Sequence, residues 1–277
     1  MMRPMRELLD EAQNGGYAVG AFNVYNYETI FGVVKAAQEE KAPVIVAFGE
    51  RYLENMDFES VALVTERLAR EVSTPIALHL DHCKSVDHIG EAIRAGFTSV
   101  MFDGSALPFA QNAAATKDVV RIAHATGVSV EAELGAIPLG DRSNEEAAEQ
   151  IYTDPAQARE LVETSGLDAL AVSIGTVHGL YRGEPKIDVG TLKAIRRLVS
   201  VPLVLHGGSG TPEDVLHECI RNGICKINVN TEISTLVVDH FRTRLASGKD
   251  FHYSKLSLEA VGLVTQVVRK YIGIFKG

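Results

Sequence analysis

The sequence lacks the features that would place the protein in a membrane or outside the cell. Its 277 residues contain no apolar run of about 18, the length that a membrane span needs. The three cysteines have neither metal-binding nor redox spacing, which is typical of a reducing compartment. The opening stretch MMRPMRELLDEAQ lacks the apolar centre of a signal peptide and predicts a short amphipathic helix. We therefore expect a cytoplasmic protein with no membrane partner.

An excess of positive charge is also absent. The formal net charge is -9, which argues against general nucleic-acid binding. Any anionic ligand must then be held by local donors, because the bulk charge repels it. The composition is that of a soluble globular protein, with 46% hydrophobic and 23% charged residues and no linker-like break. We expect one domain over residues 1–277.

Eight short apolar runs alternate with amphipathic helical stretches along the chain. Their near-continuous aliphatic and β-branched composition is typical of strands buried on both faces. Asp154-Pro155 is a helix start signal and Gly166 a helix stop signal. The alternation predicts an α/β fold, a (β/α)8 TIM barrel, with a doubly wound open sheet as the alternative. The predicted strands span residues 17–24, 43–49, 75–81, 99–105, 128–135, 170–175, 202–208 and 226–231.

Polar residues gather where these strands end, and in such a barrel the active site lies at the C-terminal ends. His82, His178 and His206 follow or end three different strands, so we expect them to meet at one mouth. Three neutral imidazoles with an open position suit zinc, whereas a hydrogen-bonded core histidine is the alternative for any one of them. We interpret His79 as a structural residue inside the barrel. Acidic side chains lie on the same or neighbouring strands, at Asp81, Asp103, Glu131 and Glu133.

A glycine-rich turn, GGSG at 207–210, follows the seventh strand, and the polar segment 228–231 follows the eighth. Loops at these two positions often bind a phosphate through backbone N–H groups and a helix N-terminus. A tight turn without a ligand uses the same residues and is the alternative. A metal and a phosphate in one mouth would indicate a phosphorylated carbonyl substrate.

These motifs together resemble a known family. AFNVYN, LHLDHC, SVMFDGS, SVEAELG, VHGLY, PLVLHGGSG and KINVNTE occur in the order and at the spacing of the class II (zinc-dependent) ketose-bisphosphate aldolases, the fructose- and tagatose-bisphosphate aldolase family. The resemblance covers essentially the whole chain, and the combination of the motifs LHLDH and LHGGSG is specific to this family. It implies a lyase of carbohydrate metabolism that reversibly cleaves a ketose bisphosphate such as fructose 1,6-bisphosphate, as in glycolysis. The products would be dihydroxyacetone phosphate and glyceraldehyde 3-phosphate.

Residue roles follow from the resemblance. It implies that His82, His178 and His206 bind Zn²⁺, and that Asp81 is the catalytic proton donor and acceptor. Asp103 and Glu133 match an alternative metal site of some members. Family members are usually homodimers or homotetramers, and the C-terminal helix over 258–275 is apolar enough to join an interface. The substrate and phosphate pocket, which commonly also binds Na⁺ or K⁺, would comprise Asn23, Gly179, Gly207, Gly208, Ser209, Asn228, Val229, Asn230 and Thr231.

Some positions depart from the family pattern and bear on the substrate. Asn230 and Ser234 stand where fructose-specific members often have an Asp and an Arg, and Gly49 stands where some have a phosphate-contacting serine. A tagatose bisphosphate, or a sugar without a second phosphate, is therefore the alternative substrate. The long connection 136–153 predicts a mobile lid but lacks the family's glycine-flanked acidic pair. Its candidate acids are Asp141, Glu145 and Glu146.

Two other functions stay open. A Schiff-base aldolase needs a lysine in the mouth, and the only lysine in a predicted strand, Lys226, begins the eighth strand, where we expect it deep in the barrel. A sugar-phosphate-binding barrel without catalysis would keep the fold and lose the chemistry. The presence of Asp81 and of three histidines weighs against this second alternative.

Overall fold

A computed structural model describes residues 2–144, 149–248 and 250–276. Eight parallel strands pair in chain order, and β1 pairs with β8 to close a barrel. The predicted TIM barrel is confirmed, and the open sheet is wrong. Each predicted run overlaps one strand. The strands are β1 Val19–Asn23, β2 Val44–Gly49, β3 Ile76–Cys83, β4 Ser99–Phe102, β5 Ser129–Leu134, β6 Ala169–Val172, β7 Leu203–Leu205 and β8 Ile224–Val229.

Helices surround the barrel in the described part of the chain. α6 begins as predicted, because Asp154 accepts a hydrogen bond from the Gln157 N–H, and it ends at Gly166 with φ 73°. None of the described helices is long and apolar enough to cross a bilayer. The helices are α1 Met5–Gly15, α2 Tyr27–Glu40, α3 Phe58–Ala69, α4 Val86–Ala95, α5 Phe109–His124, α6 Pro155–Ser165, α7 Val189–Leu198, α8 Glu213–Arg221, α9 Thr231–Ala246 and α10 Tyr253–Phe275, with a 3₁₀ helix at Glu50–Tyr52.

The hydrophobic core has two layers, because alternate residues of a strand point to opposite faces. The outer layer lies between the strands and the helices and includes Leu78, Leu80 and Val100. The inner layer fills the barrel with small side chains. At its N-terminal end the amphipathic helix α1, predicted from the sequence, buries Met5, Leu8, Leu9 and Ala12. The polar mouth is therefore at the C-terminal end of the barrel.

Strand β3 is irregular where it reaches this mouth. Its register with β4 shifts between Leu80 and Cys83, and His82 has φ 46°. A left-handed backbone is strained in a residue with a side chain, and such strain is often found at functional sites. The irregularity lets two consecutive residues, Asp81 and His82, both line the mouth. The strand also continues beyond its predicted end at Asp81.

Candidate active site

Three histidines converge at the mouth. His82 is on β3, His178 is in the loop after β6, and His206 directly follows β7. Their ring centroids lie 4.6 Å (His82–His206), 5.1 Å (His82–His178) and 5.9 Å (His178–His206) apart. One ring nitrogen of each lies within 4.8 Å of the others. The structure thus brings the three together closely enough to bind one ion.

The pKa values of His178 and His206 shift in opposite directions. Burial, and then the charges of His82 and His206, lower the pKa of His178 well below its usual value. Burial also disfavours the charged form of His206, but the carboxylates of Glu131 and Glu133 raise its pKa. Its Nδ1 is 3.2 Å from Glu133 Oε2 but has no partner in hydrogen-bond geometry. Such a buried nitrogen beside two other imidazoles is what a metal would complete, with release of a proton.

A second possible ligand group shares one histidine with the first. His82 Nδ1 lies 3.0 Å from Asp103 Oδ2, and ligand atoms of His82, Asp103 and Glu133 lie within 4.8 Å of one another. Burial opposes the charge of Asp103, but the bonds from His82 and Ser105 lower its pKa below the usual range. Burial and the Asp103 charge raise the pKa of Glu133. The two possible sets of metal ligands are therefore adjacent and have the imidazole of His82 in common.

Two amides hold the carboxylate of Asp81. Asn23 Nδ2 donates to Oδ2 at 2.8 Å, and Asn228 Nδ2 donates to Oδ1 at 3.1 Å. Burial would raise the pKa of Asp81, but the charges of His82 and Lys226 lower it well below its usual range. The carboxylate is therefore ionised and fixed in direction, which suits it to accept a proton from a hydroxyl group.

One cavity extends from Asp81, His82 and His178 to the glycine-rich loop. Two residues assigned to the pocket by sequence face elsewhere: Gly208 donates its N–H to Asn228 O at 2.9 Å, and the side chain of Val229 lies in the outer core. The Asn23 and Asn228 side chains line the cavity and hold Asp81. The lining residues are Asn23, Asp81, His82, His178, Gly179, Gly207, Ser209, Asn228, Asn230 and Thr231.

The glycine-rich loop meets the start of α9 at one end of this cavity. Ser209 Oγ accepts the N–H groups of Asn230 at 3.3 Å and Glu232 at 3.2 Å. Gly207 has φ 74°, and a Cβ there would lie 2.2 Å from Val177 O, so only glycine allows this approach. A helix N-terminus beside a glycine turn is an environment that favours an anion.

The long connection is attached to the loop that carries His178. Gly140 N donates to His178 O at 2.8 Å, and His178 N donates to Pro138 O at 2.9 Å. Asp141 points away from the cavity, since its carboxylate pairs with Arg182 at 2.6 Å and is 55% exposed. The other two candidate acids, Glu145 and Glu146, lie outside the described residues. That this connection moves as a lid stays a prediction.

Sequence reasoning missed some contacts and misplaced one residue. Tyr52 OH accepts hydrogen bonds from Asn144 at 3.1 Å and Asn230 at 3.0 Å, which no local motif indicates. Lys226 lies within β8 rather than at its start, because β8 begins earlier than predicted, and it is buried inside the barrel as expected. His79 is also inside the barrel, with Nδ1 2.7 Å from Ser99 Oγ.

A site of this kind can bind a divalent ion, hold an anionic group and move a proton between a carboxylate and a hydroxyl. These are the abilities of a metal-dependent lyase built on a TIM barrel. A sequence profile of the family described as "Fructose-bisphosphate aldolase class-II" matches residues 3–277. The chain belongs to this family, and the protein is a class II aldolase. Such aldolases are generally metal-dependent and act on phosphorylated sugars.

Solved structures agree with this assignment. The YdjI aldolase from Escherichia coli K12 is 36% identical with a TM-score of 0.89, and the match covers 99% of this chain and 97% of that one. A protein assigned as a fructose-1,6-biphosphate aldolase from Coccidioides immitis is 29% identical with a TM-score of 0.89, and the match covers 97% of this chain and 94% of that one. The fructose-bisphosphate aldolase of Campylobacter jejuni, at 23% identity, a TM-score of 0.82 and coverage of 99% and 95%, shares the fold.

Proposed function

We propose that this aldolase uses Zn²⁺ to cleave a ketose phosphate reversibly into dihydroxyacetone phosphate and an aldehyde. The observation that carries the proposal is the Asp81 carboxylate, held by Asn23 and Asn228 in the cavity that His82 and His178 also line. Three nitrogen ligands with an open fourth position are typical of catalytic zinc. A bound ion would polarise the substrate carbonyl and stabilise the negative charge that develops as the carbon–carbon bond breaks.

The protein groups supply the proton transfer and the orientation. In cleavage Asp81 accepts the proton of the C4 hydroxyl, and in condensation it returns that proton to the aldehyde oxygen. Asn23 and Asn228 keep its two oxygens in place, so no reorganisation is needed at the moment of transfer. The backbone around Gly207, Ser209 and the start of α9 holds the phosphate, with Na⁺ or K⁺ as a further candidate ligand there.

Fructose 1,6-bisphosphate is the first candidate substrate, with glyceraldehyde 3-phosphate as the aldehyde. The second candidate is a tagatose bisphosphate or a sugar without the second phosphate, and one observation favours the sugar without it. Among the described residues that line the cavity, none is Lys or Arg. Asn230 bonds to Tyr52, and the Ser234 side chain bonds to Tyr25, so neither supplies a cation for a distal phosphate.

A screen of aldehydes with dihydroxyacetone phosphate and Zn²⁺ distinguishes these substrates. Preference for glyceraldehyde 3-phosphate, with the fructose or the tagatose product identified, would support a bisphosphate. Preference for an unphosphorylated aldehyde would support a sugar without the second phosphate. Failure of every aldehyde would contradict the aldolase proposal, and condensation that survives removal of the metal would contradict the role of zinc.

Two controls address the rival functions. A catalytic centre exchanges a C–H proton of dihydroxyacetone phosphate with deuterated water, whereas a barrel that only binds sugar phosphates does not. Borohydride would trap a Schiff base in the presence of dihydroxyacetone phosphate. We expect no trapping, because Lys226, the one lysine that the described residues place inside the barrel, is ion-paired with Glu131.

We also propose that the enzyme is a cytoplasmic homodimer or homotetramer. Cys83, Cys219 and Cys225 are buried free thiols, which fits a reducing compartment. Helix α9 is partly buried over most of its length, and large apolar side chains of α9 and α10 face solvent, including Val238, Leu245 and Leu258. Such a surface is typical of an interface between subunits. Sedimentation equilibrium would give the number of subunits.

A further inference from the structure

A buried charged group lies inside the barrel in contact with His206. Lys226 Nζ is 2.8 Å from Glu131 Oε2, and His206 Nε2 is 2.9 Å from Glu131 Oε1. All three side chains are completely buried. The neighbouring strand β6 contributes small apolar side chains to the barrel interior, Ala169 and Ala171. On its other side the charged group meets His79, whose Nε2 is 3.7 Å from Glu131 Oε2.

The strand pairing explains how Lys226 reaches the interior. The register between β7 and β8 shifts at this point, so that Leu203 pairs with Ile224 but Val204 pairs with Lys226. Burying a lysine and a glutamate costs more free energy than a well-packed apolar pair of similar size. The ion pair is thus a poor source of stability, and its contact with a metal-site histidine suggests another role.

The charge of Glu131 determines which nitrogen of His206 carries hydrogen. Lys226 Nζ lies 2.8 Å from Oε2 and 3.1 Å from Oε1 of Glu131, so the buried carboxylate is ion-paired through both oxygens. An ionised carboxylate can only accept a hydrogen bond, so Nε2 of His206 must be the N–H donor. In a neutral imidazole the lone pair is then on Nδ1, the buried nitrogen without a hydrogen-bond partner.

We propose that Glu131 and Lys226 are positioning residues that preset His206 Nδ1 to bind the metal. Lys226 holds both oxygens of Glu131, and Glu131 fixes both the tautomer and the direction of the imidazole. The inference rests on the proposed function in one respect, that His206 is a metal ligand. Partners of this kind typically change metal affinity by about 10–100-fold when they are replaced.

The test measures metal binding rather than turnover. The variants are Glu131→Gln, whose amide can present either oxygen or N–H to His206 and so selects no tautomer, and Lys226→Met, which removes the cation paired with Glu131. The double variant removes both buried charges, so that folding does not depend on an uncompensated ion. Zn²⁺ affinity is measured by competition with a chromophoric chelator, and the Co²⁺ form is examined by visible absorption.

We expect both single variants and the double variant to bind Zn²⁺ about 10–100-fold more weakly, with an altered Co²⁺ spectrum. Wild-type affinity and an unchanged spectrum in the folded double variant would overturn the inference. Asp168→Asn is the matched control, because Asp168 is a buried carboxylate bonded to Arg6 and His124 at the other end of the barrel. It should lower stability and leave Zn²⁺ affinity unchanged.

His206→Ala separates this inference from the proposed function. If His206→Ala binds Zn²⁺ as tightly as the wild type, the metal assignment itself is wrong. If His206→Ala loses Zn²⁺ while Glu131→Gln and the double variant retain it, only the positioning role is wrong. A loss in all of these variants, with Asp168→Asn unaffected, supports both.

Discussion

The side chains of Asp81 and His82 line the same cavity although the two residues are consecutive in a strand. In a regular strand they would point to opposite faces. The register shift before Cys83 and the left-handed backbone of His82 place both at the mouth. The proton-transfer group and a metal ligand therefore come from a single stretch of chain.

Replacement of Asp81 tests the proton transfer. We expect Asp81→Asn and Asp81→Ala to keep bound Zn²⁺ and to lose cleavage by about 10²–10⁴-fold, the usual contribution of a general acid–base group. The Asn variant preserves the shape of the side chain and so controls for a cavity. The measurements are kcat for cleavage and metal content by elemental analysis. Cleavage at the wild-type rate in either variant would overturn the role of Asp81.

Removal of the metal should abolish activity reversibly. We expect dialysis against EDTA to eliminate cleavage and added Zn²⁺ to restore it, whereas His206→Ala should regain neither metal nor activity. His217→Ala is a matched control, because His217 is on α8 and bonds to Ile274 O, away from the mouth. Full activity in the EDTA-treated enzyme would argue against a metal-dependent mechanism.

The barrel was predictable because each strand corresponds to a local apolar run, and the mouth was predictable from the polar residues at the ends of those runs. Contacts between side chains on opposite sides of the barrel were not predictable from the sequence. Glu131 and Lys226 are separated by 95 positions and meet only because the barrel closes. The β3 irregularity also has no signature in the letters LHLDHC. The motif also does not reveal that the Val229 side chain packs in the core, so that a ligand contact at this predicted pocket residue would come from its backbone.

The pH dependence of stability should report on His79. Burial, and then the charge of Lys226, lower its pKa to about 3, against about 6.5 in an unfolded chain. Between these values the unfolded chain binds one more proton, so the free energy of unfolding falls as the pH falls, by up to about 1.4 kcal/mol per pH unit. The free energy of unfolding is therefore unaffected by His79 above about pH 6.5 and decreases below that pH.

Urea unfolding of the metal-free protein between about pH 5 and pH 7 measures this slope. In His79→Asn the amide can still bond to Ser99, but it does not titrate. We therefore expect the slope of the unfolding free energy against pH to be smaller by the contribution of one histidine. His252→Asn is the control, because His252 lies at the exposed start of α10. Equal slopes in the wild type and His79→Asn would show that His79 does not titrate in this way.

Tyr52 connects the long connection to the substrate cavity, since its hydroxyl bonds to both Asn144 and Asn230. We expect Tyr52→Phe to raise KM roughly fivefold, because losing a hydrogen bond of about 1 kcal/mol leaves Asn230 less well fixed. We expect little change in kcat, since Asp81 is not touched. Tyr27→Phe, at a tyrosine that is 50% exposed, is the control. A fall in kcat at constant KM would assign Tyr52 to the chemical step instead.

The hydrogen bonds between the long connection and the His178 loop have a thermodynamic consequence. If metal occupancy favours the conformation in which Gly140 and Pro138 bond to His178, that conformation must increase metal affinity by the same factor. The linkage is reciprocal and requires no contact between the ion and the connection. A substitution in the connection that breaks these bonds would then be detected as weaker binding of the metal.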